Sequence, residues 1–452
     1  MSVSSTESIS PPKSAETSAG HGARAVVHSI ASKVLILVLQ ASTGILTARM
    51  LLPWGRGELA AMILWPLFIA SVTTLGVPSS LIYYLRFRPE DREELIANGF
   101  FMATILGMLA TAITVFLLPH WLHQYSPSTI HAAQWFLITV PLCSVTLVGR
   151  AVLEASHDFS GSNAIQIITP FATLIGLLCF VVAHHLTPLT AAIAYIAASG
   201  PAFWYMATRL RRVSARVVPA RMATVKQILS YGIRSYGIDV LGTLTLQVDQ
   251  VLVVGMLSPS AMGSYVVVLS LSRMLNLFQN SVVMVLFPKA AGRSADEVIA
   301  MTGDAVRVSG LVTAACGIFV CLAGPLLLRL LYGREYVEAA GVLRILVLEV
   351  VLSGAVFILA QAFMALDRPG VVTVLQAVGL SFSIPMMLLL IPRYGIYGAA
   401  VSLLTSTVAR LIFVYVGFHW FLKTKPPSLV PEGADIRLLW SVVSGWRMER
   451  AA

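Results

Sequence analysis

The chain is 452 residues long, 57% of its residues are hydrophobic and only 12% are charged. A soluble domain of this length would carry about twice that charged fraction. The composition therefore excludes a soluble globular protein and indicates a membrane protein that crosses the bilayer many times. Basic loops on one side of a membrane explain the net charge of +10, and we expect no nucleic acid among the partners.

The sequence contains no pattern typical of an enzyme. No nucleophile elbow, metal-ligand spacing or nucleotide-binding loop is found. We therefore predict a membrane transporter with no catalytic residue, no metal and no cofactor. The cysteines lie inside apolar runs and are predicted to be small core residues: Cys143, Cys179, Cys316 and Cys321.

Hydropathy predicts about twelve membrane spans in two sets of six. The predicted order is a disordered cytoplasmic tail over 1–25, an N-terminal six-helix bundle over 26–208, a basic connector over 209–227, a C-terminal six-helix bundle over 228–422 and a cytoplasmic tail over 423–452. Lysine and arginine concentrate in the loops on the side of the connector, so both termini are predicted to be cytoplasmic. Residues 434–450 combine apolar and basic positions, which predicts a helix lying on the inner leaflet.

The two halves resemble each other weakly. ARMLLPWGRGELAAMILWP in the first half corresponds to VVGMLSPSAMGSYVVVLSL in the second, and Gly57 matches Gly263. Six spans return the chain to the same side, so the two halves run in the same direction. This pattern predicts a parallel repeat about an axis normal to the membrane, with the substrate site between the halves.

Polar side chains recur at helical spacing within the stretch 228–288, and a similar stripe runs along the first span. Such residues usually face a bundle interior or a water-filled cavity, so we expect a hydrated cavity at these helices. The residues of these stripes include Lys33 and Gln40 on span one, Tyr236, Asp239, Thr243, Gln247 and Gln250 on span seven, and Arg273, Asn276 and Asn280 on span eight.

Four cationic residues lie within predicted spans: Lys33, Arg234, Arg273 and Arg410. Pooled in one cavity, they would form a site for an anion such as a phosphate. Lys33 and Arg234 have the alternative of snorkelling to lipid headgroups, and Arg410 has the alternative of pairing with Glu349. Arg273 has no acidic residue within a turn of its own helix, so we expect it to meet an anion or water.

Two acidic residues are candidates for coupling transport to a proton or sodium gradient. They are Asp239 and Glu349, since a carboxylate at membrane depth binds a cation or pairs with one. A plain ion pair with a nearby arginine is the alternative for each. Asp249 lies off the face of Asp239, and we predict a structural role for it.

Several segments resemble the Wzx-type polysaccharide flippases of the multidrug/oligosaccharidyl-lipid/polysaccharide exporter superfamily. They include QVDQVLVVGMLSPSAMGSYVVVLSL, VMVLFPKAA and PLLLRLLYGREYVEAAGVLRILVLEVVL, and the resemblance extends from about residue 26 to 420. It implies a V-shaped pair of six-helix bundles that works by alternating access in the bacterial inner membrane. It also implies a cationic cavity for the cargo's pyrophosphate, and the residues that fit this role are Arg273, Lys33 and Arg234.

The resemblance implies a lipid-linked oligosaccharide as cargo, with membrane lipids and other polysaccharide-assembly proteins as partners. The lipid II flippase branch is described with fourteen spans, and the smaller number predicted here favours a flippase of polysaccharide repeat units. One alternative is a drug/cation antiporter of the same superfamily, which would favour a more acidic cavity. A second alternative is a polysaccharide polymerase or ligase. Such an enzyme is expected to have a large extracytoplasmic loop, and no predicted loop of this chain is long enough.

Overall fold

The computed structural model describes residues 14–213, 219, 221–290 and 292–430. Every regular element within these residues is helical. The helices are α1 (Ser14–Thr73), α2 (Val77–Phe87), α3 (Arg92–Trp121), α4 (Pro127–Phe136), α5 (Val140–Ala155), α6 (Phe159–Val182), α7 (Pro188–Ala197), α8 (Ser199–Val213), α9 (Met222–Met256), α10 (Pro259–Arg273), α11 (Asn276–Ala290), α12 (Ala295–Leu327), α13 (Ala340–Ala365) and α14 (Pro369–Phe421).

The fold is that of an all-α membrane protein with many spans. Within the described residues, eight helical segments are long and apolar enough to cross a bilayer, or nine if α10 and α11, bent by 41°, form one span. The two longest helices are each interrupted, α1 at Leu52 and α14 at Gly395. Both interruptions lie close to boundaries that hydropathy predicts between spans. The count of twelve stays a prediction.

The predicted bundle limits differ from the helix limits in two places. Helix α1 begins at Ser14, ahead of residue 26, and the predicted connector 209–227 takes in the end of α8 and the start of α9. The rest of the N-terminal tail, over 1–13, and the inner-leaflet helix predicted over 434–450 lie outside the described residues.

The bundle has two ends. The connector end carries the turns at 88–91 and 156–158 and the start of α9, and the far end carries the kink of α1 and the start of α10. At the far end, Gly57 faces the carbonyl of Pro259 and Gly263 faces the carbonyl of Pro53 so closely that a Cβ on either glycine would overlap it. In the sequence, Pro53 precedes Gly57 and Pro259 precedes Gly263, each by four residues. This reciprocal contact is what a twofold relation between the halves produces.

Hydrogen bonds between the halves reinforce this far-end seam, which we define as the contact of α1 and α3 with α9, α10 and the segment 328–339. The indole of Trp121 donates to the carbonyl of Val251 at 2.9 Å, and the Gln124 amide donates to the carbonyl of Met256 at 2.8 Å. The Arg49 guanidinium donates to the carbonyl of Leu331 at 2.8 Å. The far end is therefore closed.

A second contact between the halves lies at the connector end, where α9 packs against α2 and α3. The Ser80 hydroxyl donates to the carbonyl of Ile228 at 2.8 Å, and the Arg221 backbone N–H donates to the Asn98 side-chain oxygen at 2.9 Å. The backbones of Gly76 and Gly232 lie so close that a Cβ on Gly76 would overlap the Gly232 carbonyl. These contacts hold α9, the first helix of the second half, against the first half.

Candidate functional site

A polar pocket of about 300 Å³ lies between the two halves and is called the central pocket below. The first half contributes the end of α1 together with α2 and α5, and the second half contributes α9. Its polar lining residues are Ser71, Thr74, Ser79, Arg150, Glu154, Asp239 and Thr243. The position between the halves is the one that the repeat predicts.

A left-handed turn sets the direction of the polar side chains of α2. Gly76, the N-cap of α2, has φ 72°, a conformation that glycine adopts without steric cost. The turn places Ser79 against α9, where its hydroxyl donates to Asp239 Oδ2 at 2.8 Å. Asp239 lines the central pocket, and its carboxylate has a hydroxyl partner in the opposite half. Its role in substrate binding stays a prediction.

An arginine and a glutamate of α5 form the other side of the central pocket. The Arg150 guanidinium lies 3.6 Å from Glu154 Oε1, and the two side chains are 29% and 35% exposed. The Ser162 hydroxyl donates to the same glutamate oxygen at 2.7 Å. Carboxylates accept hydrogen bonds from sugar hydroxyls and a guanidinium matches phosphate oxygens, so this pocket can meet both parts of a sugar phosphate.

Sequence reasoning missed Arg150 and Glu154. They lie at the end of the predicted fourth span, where charged residues are usual, and nothing in the sequence shows that α9 packs opposite them. Their spacing of four residues, which puts both on one helical face, is the signal that could have indicated a paired site.

Four charged residues form a second polar group inside the C-terminal half, which we call the charge chain: Asp249, Arg273, Glu349 and Arg410. Asp249 is fully buried, and one of its oxygens, Oδ2, lies 3.2 Å from the Arg273 guanidinium and accepts from the Tyr265 hydroxyl at 2.8 Å. Glu349 lies 3.9 Å from Arg410, and Thr407 donates to Glu349 at 2.7 Å. The charge chain contains equal numbers of acids and bases, which limits the cost of burying them.

The anion that Arg273 meets is a carboxylate of the protein itself, that of Asp249. Its partner Asp249 lies 24 positions away on α9, so the search within one turn of α10 did not reach it. The pairing of Arg410 with Glu349, stated as an alternative, is observed. Arg273 keeps 31% of its side chain exposed.

The remaining predicted site residues do not meet in the central pocket. Lys33 and Arg234 are exposed, and the Lys33 ammonium lies 3.9 Å from the sulfur of Met284 on α11. Neither of them lines the central pocket, nor do Arg273 and Arg410. Of the uncharged candidates, Gln40 and Asn280 are exposed, whereas Gln247 and Asn276 are half-buried. A role of these residues in substrate binding stays a prediction.

Solved structures with the same fold are transporters. The chain is similar to the lipid II flippase MurJ in an inward closed conformation, with a TM-score of 0.75 and 12% identity over 87% of each chain. It is similar to an inward-facing multidrug resistance MATE family transporter of the MOP superfamily, with a TM-score of 0.69 and 14% identity over 86% of this chain and 94% of that one.

A third similar structure is a MOP superfamily transporter from Pyrococcus furiosus, for which a reverse polarity of the binding pocket is described as suggesting a different function. Its TM-score is 0.61, and it is 13% identical over 88% of this chain and 94% of that one. At such identities the likeness shows the fold alone. No curated protein matches the chain.

The family described as "Polysaccharide biosynthesis protein" matches residues 46–341. This match covers more than half of the chain, from the far-end kink of α1 to the first turn of α13. It includes the central pocket and, of the charge chain, Asp249 and Arg273. The chain belongs to this family of polysaccharide biosynthesis proteins, and its fold is that of the MOP superfamily transporters.

Proposed function

We propose that this protein is a flippase that moves lipid-linked oligosaccharide units across the bacterial inner membrane by alternating access. The observation that carries the proposal is the central pocket, in which Arg150, Glu154 and Asp239 lie together between the two halves. A sugar phosphate presents hydroxyl donors and anionic oxygens, and this pocket offers carboxylate acceptors and a guanidinium. Membership of the polysaccharide biosynthesis family supports the same cargo class.

The alternative is a drug/cation antiporter, and the MATE-like fold favours it. Asp239 and Glu154 would attract a cation. Arg150 lines the same pocket, however, and its charge opposes a cation at this position. With two carboxylates and one guanidinium the lining is acidic overall, so the preference for the flippase rests on Arg150, whose guanidinium matches phosphate oxygens and does not help to bind a cation.

Ligand-dependent thermal stability of the purified protein tests the proposed cargo. A ligand that binds only the folded state at about 100 times its Kd stabilises that state by about 2.7 kcal/mol. We expect polyprenyl-diphosphate-linked oligosaccharide to raise the Tm and ethidium to have no effect. A rise in Tm with ethidium and none with the lipid-linked sugar would establish the antiporter instead.

Variants of the pocket locate the site. We expect Arg150→Gln and Asp239→Asn each to weaken binding about tenfold, the effect of losing one hydrogen bond that involves a charged group. Arg209→Gln is the matched control, because Arg209 also lies in the first half but pairs with Asp158 at 3.6 Å and does not line the pocket.

For the coupling ion, we favour Asp239 over Glu349. Asp239 lines the central pocket, whereas Glu349 is held by Arg410 and Thr407 inside the C-terminal half. A carboxylate that the cargo and the ion can both reach can link their movements. Transport by Asp239→Asn should no longer respond to an imposed proton or sodium gradient, and an unchanged response would exclude this role.

We propose that the connector end faces the cytoplasm. Arg88, Arg92, Arg212 and Arg221 lie at this end, and lysine and arginine concentrate in cytoplasmic loops. A cysteine in place of the exposed Glu90 should react with an impermeant maleimide only after the cells are permeabilised. Labelling in intact cells would reverse the orientation.

A further inference from the structure

A second cavity, of about 420 Å³, lies inside the N-terminal half and is called the N-bundle chamber below. Its walls come from α1 after the kink, from α5 and α6, and from α7 and α8 where these two helices meet. The walls are mainly apolar, and they include Ile63, Leu67, Cys143, Ile165, Ile196 and Ala202.

The hydroxyl groups of the chamber are largely occupied as donors. Thr139 donates to the carbonyl of Phe136 at 2.7 Å, and Thr146 donates to the carbonyl of Leu142 at 2.8 Å. None of the described residues that line the chamber is a carboxylate, and Arg150 is the one charged residue among them. The chamber therefore suits a hydrocarbon group with an anion at one end.

Arg150 lines both the chamber and the central pocket, as does Leu147. The contacts of its guanidinium are long, 3.5 Å to the Ser162 hydroxyl and 3.6 Å to Glu154. A guanidinium has five N–H donors, so several remain free at the junction of the two cavities. An anion bound there would have polar space on one side and apolar space on the other.

We propose that the N-bundle chamber binds the prenyl segment next to the diphosphate of the cargo lipid, with the diphosphate at Arg150 and the sugars in the central pocket. This inference rests on the proposed function. Transfer of the prenyl chain from the lipid into the chamber contributes little hydrophobic free energy, because the chain already lies in an apolar environment. Its effect is positional, because enclosing the first prenyl units fixes the diphosphate beside Arg150. A lipophilic cation fits the chamber poorly, because Arg150 is the charged residue among its described lining residues. Glu154, which pairs with Arg150, lines the central pocket instead.

Cys143 is a natural reporter of the chamber. In a protein that keeps only this cysteine, N-ethylmaleimide alkylation is measured with and without geranylgeranyl diphosphate. We expect the prenyl diphosphate to slow alkylation of Cys143 at least about tenfold, since it fills the space beside the thiol. A protein that keeps only Cys321, which lies on α12 of the other half, should show no change.

The same assay separates the possible ligands. Inorganic diphosphate and a long-chain trimethylammonium ion should not protect Cys143, and Arg150→Gln should raise the prenyl diphosphate concentration required about tenfold. Arg209→Gln should leave it unchanged. Protection by the cation, protection by inorganic diphosphate alone, or no protection by the prenyl diphosphate would each overturn the proposal.

A chamber-filling variant gives a readout that does not depend on thiol reactivity. Ser199→Phe places a ring in the chamber, and we expect it to raise about tenfold the concentration of geranylgeranyl diphosphate needed for half-maximal thermal stabilisation. An unchanged concentration would contradict the proposal. If the wild type binds lipid-linked oligosaccharide while both chamber tests fail, the chamber assignment alone is wrong. If lipid-linked oligosaccharide does not bind, the proposed function is wrong.

Discussion

At the scale of single residues, the polar groups are paired by contacts between helices: Ser79 of α2 donates to Asp239 of α9, and Arg273 of α10 pairs with Asp249 of α9. Asp239 could be predicted because a polar stripe on one helix depends only on local spacing. The contact of Arg273 with Asp249 depends on how α10 packs against α9, which the sequence of neither helix specifies. Arg150 and Glu154 were missed for the same reason, because the residue that completes their pocket comes from the other half of the chain.

Arg273 gives the first prediction. We expect Arg273→Ala to abolish transport, because it leaves the fully buried Asp249 without its charged partner and removes a candidate phosphate ligand. Arg273→Lys should keep part of the activity, since an ammonium group retains the charge but not the planar fork. Polysaccharide export is measured for both variants at equal protein abundance. Normal export by the Arg273→Ala protein would show that Arg273 is not required for transport.

The second prediction concerns the pair of Glu349 and Arg410. Each side chain is about 15% exposed, so removing one partner leaves the other charge buried without a charged partner. We expect Glu349→Gln alone to destabilise the protein by about 3 kcal/mol, and Glu349→Gln with Arg410→Met to cost less than the sum of the single changes. Thermal unfolding in detergent measures the stability of the wild type, the two single variants and the double variant. Strictly additive losses of stability would show that the two residues do not interact.

Arg56 gives the third prediction. This residue is only 7% exposed, and its Nε and Nη1 atoms have no hydrogen-bond partner within the described part of the chain. It lies on the α1 segment of the far-end seam, where an unpaired guanidinium disfavours the closed state. We expect Arg56→Met to raise the free energy of unfolding by about 1 kcal/mol.

Arg49 provides the matched control for Arg56, because it lies near the same seam but donates to the carbonyls of Leu330 and Leu331. Arg49→Met should lower the free energy of unfolding by about 1.5 kcal/mol. A loss of stability in Arg56→Met as large as in Arg49→Met would show that Arg56 has a partner in the folded protein.

At the scale of helices, the internal repeat and hydropathy each predicted a different feature of the fold. The alignment of Gly57 with Gly263 predicted equivalent positions in the two halves, and the structure places them in one reciprocal contact. The alignment could not show that each glycine meets the proline of the other half, since that depends on the distance between α1 and α10. Hydropathy placed breaks near Leu52 and Gly395, and both residues have non-helical backbone angles, so α1 and α14 each consist of two helices joined at a kink.

The reciprocal glycines give the fourth prediction. A side chain at Gly57 would overlap the carbonyl of Pro259, so we expect Gly57→Val to force the far-end seam apart. A cysteine at Thr243 in the central pocket should then react faster with an impermeant maleimide added from the far side, and transport should fall. Gly44→Ala is the control, because nothing lies within 4 Å of its added Cβ. Equal labelling in the Gly57→Val and Gly44→Ala proteins would show that the far-end seam does not control access to the central pocket.

At the scale of the whole molecule, the chain forms two halves that meet around one polar pocket. Composition and hydropathy predicted the all-α class, and the quoted segments predicted the superfamily. The position of the pocket between the halves followed from the repeat. The composition of its lining did not follow from the repeat, since the side chains come from three separate regions of the chain, 71–82, 147–154 and 239–243.

Transport of lipid-linked oligosaccharide by the purified protein tests this account most directly. Proteoliposomes carry the lipid in both leaflets, and an impermeant glycosidase acts on the outer leaflet only. We predict that wild-type protein exposes inner-leaflet lipid to the enzyme until nearly all of it is cleaved, while Arg150→Gln protein does so much more slowly and Arg209→Gln protein keeps the wild-type rate. Cleavage that stops at the outer-leaflet share with folded wild-type protein, as in protein-free liposomes, would contradict the account.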